Sequence, residues 1–189
     1  MRAGLNPHTP KNQTTEHTQF FHKQKFNLMQ SAEITGIDRV AEIRVTYSHK
    51  VKPQDRPQVT TSKQAADMFL SVWPEDINYR ESFFCMYLNR KNRVIGIMMH
   101  STGTTNSCLA DVKMIFGTAL KANAAALIVA HNHPSGCPEP SRNDIELTEK
   151  LKQSGVLLDC PLLDHIILID PENSTTPQYY HSFADSNKL

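Results

Sequence analysis

The four cysteines of this chain, Cys85, Cys108, Cys137 and Cys160, include no CxxC pair, and that absence removes the usual frame of a zinc ribbon. Widely spaced single thiols read as reduced cysteines, the state expected in a cytoplasmic protein. An excess of one charge sign is also missing. Twenty Lys and Arg stand against 19 Asp and Glu, a formal net charge of +1, so there is no overall electrostatic footprint for DNA, a local basic patch aside. No apolar run is long enough to cross a bilayer, and the first residues lack the hydrophobic stretch of a secretory signal. The expectation is a soluble cytoplasmic protein with no membrane partner. With 39% hydrophobic and 21% charged residues over 189 positions, there is material for one domain with a core.

What the sequence does contain is concentrated after residue 123. The run Ala124-Ala125-Ala126-Leu127-Ile128-Val129-Ala130 reads as a buried strand delivering His131-Asn132-His133-Pro134 to its end. Side chains i and i+2 of a strand share a face, so His131 and His133 can aim at one point while Asn132 points elsewhere. The loop Pro134-Ser135-Gly136 then leads to a helix start, with Ser141 as N-cap and Asp144 in the first turn, and the helix is expected to stop at Gly155. Two neutral imidazoles and one carboxylate from Asp144 suit Zn²⁺ and leave its fourth position open, the catalytic rather than the structural arrangement.

The remainder of the chain supplies a frame. Residues 1 to 35 are polar apart from Phe20, Phe21 and Phe26, and are expected to form a flexible tail, with a partner-binding arm as the alternative and Met29 as a candidate start of translation. Residues 36 to 80 form a leading unit packed on the main domain. Val40 to Tyr47 alternates as a half-exposed strand, and Thr61-Ser62 caps a short helix carrying Ala65, Ala66, Phe69 and Val72, stopped at Pro74. From residue 81 to 189 strands and helices alternate. A hairpin of largely buried strands spans Ser82 to Leu88 and Val94 to Met99, a helix carries Val112, Ile115, Phe116, Ala119 and Leu120 on one face, and a strand runs from Leu162 to Ile169. The fold class is α/β or α+β, a mixed β-sheet flanked by helices.

His131-x-His133-Pro134, six residues, Ser141, two residues and Asp144 have the spacing of the JAMM motif of MPN/JAB-type metalloproteases. Leu88-Asn89-Arg90, Ser101-Thr102-Gly103-Thr104, Ser135-Gly136, Pro140-Ser141, Leu163-Asp164-His165 and Ser182-Phe183 extend the likeness, and the chain resembles the bacterial RadC family. The resemblance covers about the last 110 residues strongly and residues 38 to 80 weakly. It implies the MPN/JAMM, cytidine-deaminase-like architecture, in a short form without the family's helix-hairpin-helix region. It also implies a zinc ion held by His131, His133 and Asp144, with Glu81 as the upstream catalytic carboxylate and Ser141 as a hydrogen-bond donor to a developing oxyanion. Cys137 stands where the family usually has an acidic residue, either as an ordinary loop side chain or as an intruding soft ligand.

Each of these residues has a plainer reading. Ser141 can cap a helix without taking part in chemistry, and Asp144 can be a first-turn carboxylate favoured by the helix dipole. Glu81 can be a strand-edge charge facing water. Asp164 and His165 can orient neighbours or pack the last strand, with a hydrogen bond to a metal-binding imidazole as a further option, and His100 reads as a strand-end residue. The adjacent letters His131-Asn132-His133 carry no nuclease meaning, because the HNH nuclease motif is spread over a ββα unit. The functional expectation is a zinc metallohydrolase cleaving a peptide or isopeptide bond in a protein or peptide substrate. The alternative is a non-catalytic accessory of DNA repair or recombination, with DNA or repair proteins as partners by family association. A third possibility is a metal-stabilised binding module with all four positions filled by protein.

Overall fold

The computed structural model describes residues 51–189 except 75, 104–109, 173 and 175–177. The expected tail, the Val40–Tyr47 strand and Cys108 lie outside the described residues. What is described centres on a five-stranded mixed sheet in the order β2-β1-β3-β4-β5. Its strands are β1 (Ser82–Leu88), β2 (Val94–Thr102), β3 (Ala126–Asn132), β4 (Leu162–Leu168) and β5 (Tyr180–Ser182). Helices α1 (Ser62–Ser71), α2 (Val112–Lys121) and α3 (Arg142–Leu157) flank it, and a short 3₁₀ turn at Pro53–Asp55 precedes α1. Only the β3–β4 pair is parallel, and α3 makes that crossover, which puts the end of β3 beside the start of α3. No helix among the described residues is long and apolar enough to cross a membrane.

The strand period of two sorts the side chains into two cores. Phe84, Met86 and Leu88 of β1, with Ile128 and Ala130 of β3 and Ile166 and Leu168 of β4, pack on Ala65, Ala66 and Phe69 of α1. Phe83, Cys85 and Tyr87, with Leu127 and Val129, face Ile115, Phe116 and Ala119 of α2 and Leu151 of α3. Both faces of the sheet are covered, which explains why β1 and β3 read as continuous apolar runs rather than as alternations. The same phase decides the site. His131 follows Leu127 and Val129 on the α2/α3 face, whereas Asn132 falls on the α1 face.

Several boundaries differ from the sequence expectation. β3 continues one residue past the expected end at His131, through Asn132, because the parallel ladder pairs His131 with Ile167 and Asn132 with Leu168. Helix α3 runs through Gly155 to Leu157. Gly155 serves close packing, since a Cβ there would lie 2.7 Å from the Cys160 carbonyl oxygen. The chain leaves the helix at Asp159, in the left-handed region with φ 50°. β2 is an edge strand reaching Thr102, with Met98 and Met99 both 44% exposed, so the hairpin is buried mainly on its β1 side. Val72 and Leu120 are exposed too, each at the end of its helix.

Candidate metal centre

The site forms where the end of β3 meets the start of α3. His131 is brought in by the last rungs of the ladder. His133, just past the strand, is held by its backbone N–H donating to the Leu168 carbonyl at 2.9 Å. Asp144 is placed by a complete capping box: its amide donates to Ser141 Oγ at 3.2 Å, and the Ser141 amide donates to Asp144 Oδ2 at 2.7 Å. The capping reading of Ser141 is therefore realised, and the cap also sets the direction of the Asp144 carboxylate.

The three ends converge. His131 Nε2 and His133 Nε2 are 3.0 Å apart, His131 Nε2 and Asp144 Oδ1 are 3.1 Å apart, and His133 Nε2 and Asp144 Oδ2 are 3.5 Å apart. These are the only three His, Cys, Asp or Glu side chains among the described residues grouped closely enough to hold a metal ion. The spacing fits one. A tetrahedral ion bound at about 2.0–2.1 Å has ligand–ligand edges of about 3.3–3.4 Å, close to the 3.0 Å between the two Nε2 atoms and to the 3.1 and 3.5 Å from each of them to one Asp144 oxygen or the other. The His133 tautomer fits as well: Nδ1 lies 2.7 Å from the Cys137 carbonyl, which can only accept, so the proton sits on Nδ1 and the Nε2 lone pair turns inward. The Cys137 thiol is exposed and outside the cluster, so this residue acts through its carbonyl and not as a soft ligand.

The electrostatics follow from this packing. Burial works against the charged form of Asp144, but His131 and His133, which donate to it when protonated, outweigh this and hold the carboxyl far below the ordinary range. Burial likewise opposes a charge on His133, and Asp144 together with the Cys137 carbonyl reverses this and raises its pKa. Glu81 sits half-buried immediately before β1, where its backbone carbonyl accepts from Gly103 at 2.8 Å. Its carboxyl pKa is raised, first by burial and further by the Asp144 charge, with the two histidines pulling the other way. All three cluster residues thus act electrostatically on Glu81, although it is not a member of the cluster.

Two residues have more to do than their sequence positions indicate. Asn132, fully buried, accepts from the Ser82 amide at 2.7 Å and donates to the carbonyls of Ile77 at 2.6 Å and Arg80 at 2.9 Å. It thereby pins the segment that carries Glu81, and no sequence signal beyond its place between the histidines pointed there. His165 is also fully buried, with Nε2 2.9 Å from His131 Nδ1 and Nδ1 2.6 Å from Thr148 Oγ1. Burial, and then repulsion from the His131 ring when that ring is protonated, hold its pKa well below the ordinary value. Asp164, adjacent in sequence, lies on the opposite face of β4, accepting from Ser182 Oγ at 2.7 Å and the Ala184 amide at 3.0 Å. His100 pairs with the Tyr87 hydroxyl at 2.5 Å, away from the cluster.

A mixed sheet flanked by helices, with a His-His-Asp group at the junction of a strand end and a helix start, defines the class: an α/β domain of the JAB/MPN kind. Residues 59–188 match the RadC-like JAB domain, and the chain belongs to that family. It is 38% identical over 148 residues to a UPF0758 protein of Bacillus licheniformis, an alignment covering 74% of this chain and 64% of the relative. It is 44% identical to a UPF0758 protein of Bacillus velezensis and 34% identical to UPF0758 protein YsxA of Bacillus subtilis, each over 148 residues covering 74% of this chain and 62% of the relative. The matched region is thus less than two thirds of the length of these relatives.

Proposed function

We propose that this domain is a zinc-dependent hydrolase of amide bonds in peptides or proteins, with His131, His133 and Asp144 holding the metal and Glu81 moving the proton. The observation that carries this reading is the convergence of His131, His133 and Asp144, whose ligand atoms, one from each residue, lie within 4.8 Å of one another in a largely buried setting. A donor set of two imidazoles and one carboxylate suits Zn²⁺ and leaves a coordination position for reaction.

A bound zinc ion would supply Lewis-acid polarisation of the scissile carbonyl and bring the pKa of water to near 7. Around it, the chain's own groups divide the remaining work. The Glu81 carboxylate takes the proton of the attacking water and returns it to the leaving amine nitrogen, a task suited to a carboxyl whose pKa lies above the usual range. The Ser141 hydroxyl keeps its own proton while its oxygen accepts from the Asp144 amide, so it can donate to an oxyanion without giving up the cap.

Elemental analysis of protein purified without chelator tests the metal first. About one zinc per chain is expected in the wild type, with loss in His133→Ala and Asp144→Ala. Glu81→Gln is expected to keep its zinc and lose at least about 10²-fold in hydrolysis of a mixed peptide library read by mass spectrometry. A wild type that stays metal-free after zinc loading would overturn the reading.

A further inference from the structure

Beyond the three ligands, a buried chain of hydrogen bonds connects two of them by a route outside the metal position. Asp144 and His131 come from different elements, α3 and β3, yet the Asp144 carbonyl, Thr148 Oγ1, His165 and His131 form an unbroken series with steps of 2.6, 2.6 and 2.9 Å. Thr148 is 2% exposed and His165 is 0% exposed, so water does not compete for these bonds.

The proton positions along this series follow from its ends. A backbone carbonyl has no proton to give, so the 2.6 Å contact between Thr148 Oγ1 and the Asp144 oxygen requires the hydroxyl proton to lie between them. Thr148 Oγ1 must then accept at its other contact, which puts a proton on His165 Nδ1. His165 is sealed between the sheet and Phe183, whose ring stacks on it at 4.9 Å, and it has no carboxylate partner, so it is neutral and its Nε2 carries a lone pair. That lone pair accepts from His131 Nδ1, and a neutral His131 is left with an unprotonated Nε2 facing His133 and Asp144.

We infer that Thr148 and His165 are positioning residues that set the tautomer of His131, so that its Nε2 lone pair is ready for a metal ion. The inference rests on the metal-site reading above and adds a dependence that reading does not contain. The group orienting His131 is an imidazole, which can either donate or accept. A carboxylate or carbonyl in that place would impose the tautomer alone, whereas here the choice is made one bond further away, by a threonine that touches no ligand side chain. Removing that hydroxyl frees His165 to carry its proton on Nε2, which drives the His131 proton onto the nitrogen the metal needs.

Thr148→Val is nearly isosteric and deletes only the hydroxyl, while Thr148→Ser keeps it. The imidazole nitrogens of the metal-free full chain are read by ¹⁵N NMR, and Zn²⁺ affinity by competition with a chromophoric chelator. The wild type is expected to show Nδ1–H on both His131 and His165. Thr148→Val is expected to bind Zn²⁺ about 10- to 100-fold more weakly, in the range for removal of groups that orient metal ligands, and Thr148→Ser is expected to restore wild-type affinity. Nε2–H without Nδ1–H on His131 in the metal-free wild type overturns the inference, and this readout needs no variant to fold. So does Thr148→Val affinity equal to wild type while Asp144→Ala loses the metal, a result that leaves the metal site itself standing. Asp144→Ala binding Zn²⁺ as tightly as wild type removes the metal-site reading instead.

Discussion

Asn132 shows how a residue beside the candidate ligands can matter without touching them. Its side chain satisfies the Ser82 amide and the carbonyls of Ile77 and Arg80, the backbone groups on either side of Glu81. Alanine at this position leaves those groups unpaired in a fully buried setting, at a cost of about 1–3 kcal/mol for each that finds no water. The expected outcome for Asn132→Ala is a loss of at least about 2 kcal/mol in urea unfolding. Zinc content is expected to be retained and hydrolysis to fall along with the placement of Glu81. Zinc lost together with activity would show that Asn132 supports the ligands and not the carboxylate. Cys137 makes a related point, because its position in the loop matters through a backbone carbonyl to which any residue there would contribute.

At the scale of elements, the two helical glycines of α2 and α3 carry opposite expectations. Gly155 faces the turn into β4, where an added Cβ meets the Cys160 carbonyl oxygen at 2.7 Å and the Leu162 nitrogen at 3.1 Å, both backbone atoms that cannot move aside cheaply. Gly155→Ala is expected to destabilise by about 1–3 kcal/mol. Gly117 is exposed in the interior of α2 with nothing within 4 Å of an added Cβ, so Gly117→Ala is expected to stabilise by up to about 1 kcal/mol. Thermal unfolding of both variants checks the pair, and equal shifts of the same sign would remove the packing explanation for Gly155. The spacing of α3 from β4 that Gly155 permits also bears on the site, because the first turn of the same helix presents Asp144 and its second presents Thr148 to His165.

For the whole molecule, the candidate ligands join β3 to α3, so an ion bound there ties the crossover to the sheet. A ligand that binds only the folded state stabilises by about 2.7 kcal/mol at a hundredfold excess over its Kd. For a chain of this size that corresponds to a rise in Tm of roughly 5–10 °C. Zinc titration of chelator-treated protein is expected to produce this rise in the wild type and not in Asp144→Ala. Equal melting curves with and without zinc would mean that the cluster does not hold the ion under those conditions.

Most of this arrangement was legible in local sequence. Apolar runs bounded by turn residues located β1, β3 and β4; Ser141 and Asp144 marked the start of α3; and the period of two put His131 and His133 within reach of one point. The ends of elements were less legible. Whether β3 stops at His131 or Asn132 depends on how far β4 runs beside it, and Gly155 could be assigned to packing rather than capping only once the β4 approach was visible. The sequence by itself determined the types of chemical group and their local spacing: two imidazoles, a capped carboxylate, and strands apolar enough to be covered on both faces. Tertiary structure alone decided the meetings between distant segments, such as His165 with His131, Thr148 with His165, and Asn132 with the backbone around Glu81. The physical reason is that each of these hydrogen bonds joins residues 17 to 50 positions apart, and only strand order and helix packing bring such residues together.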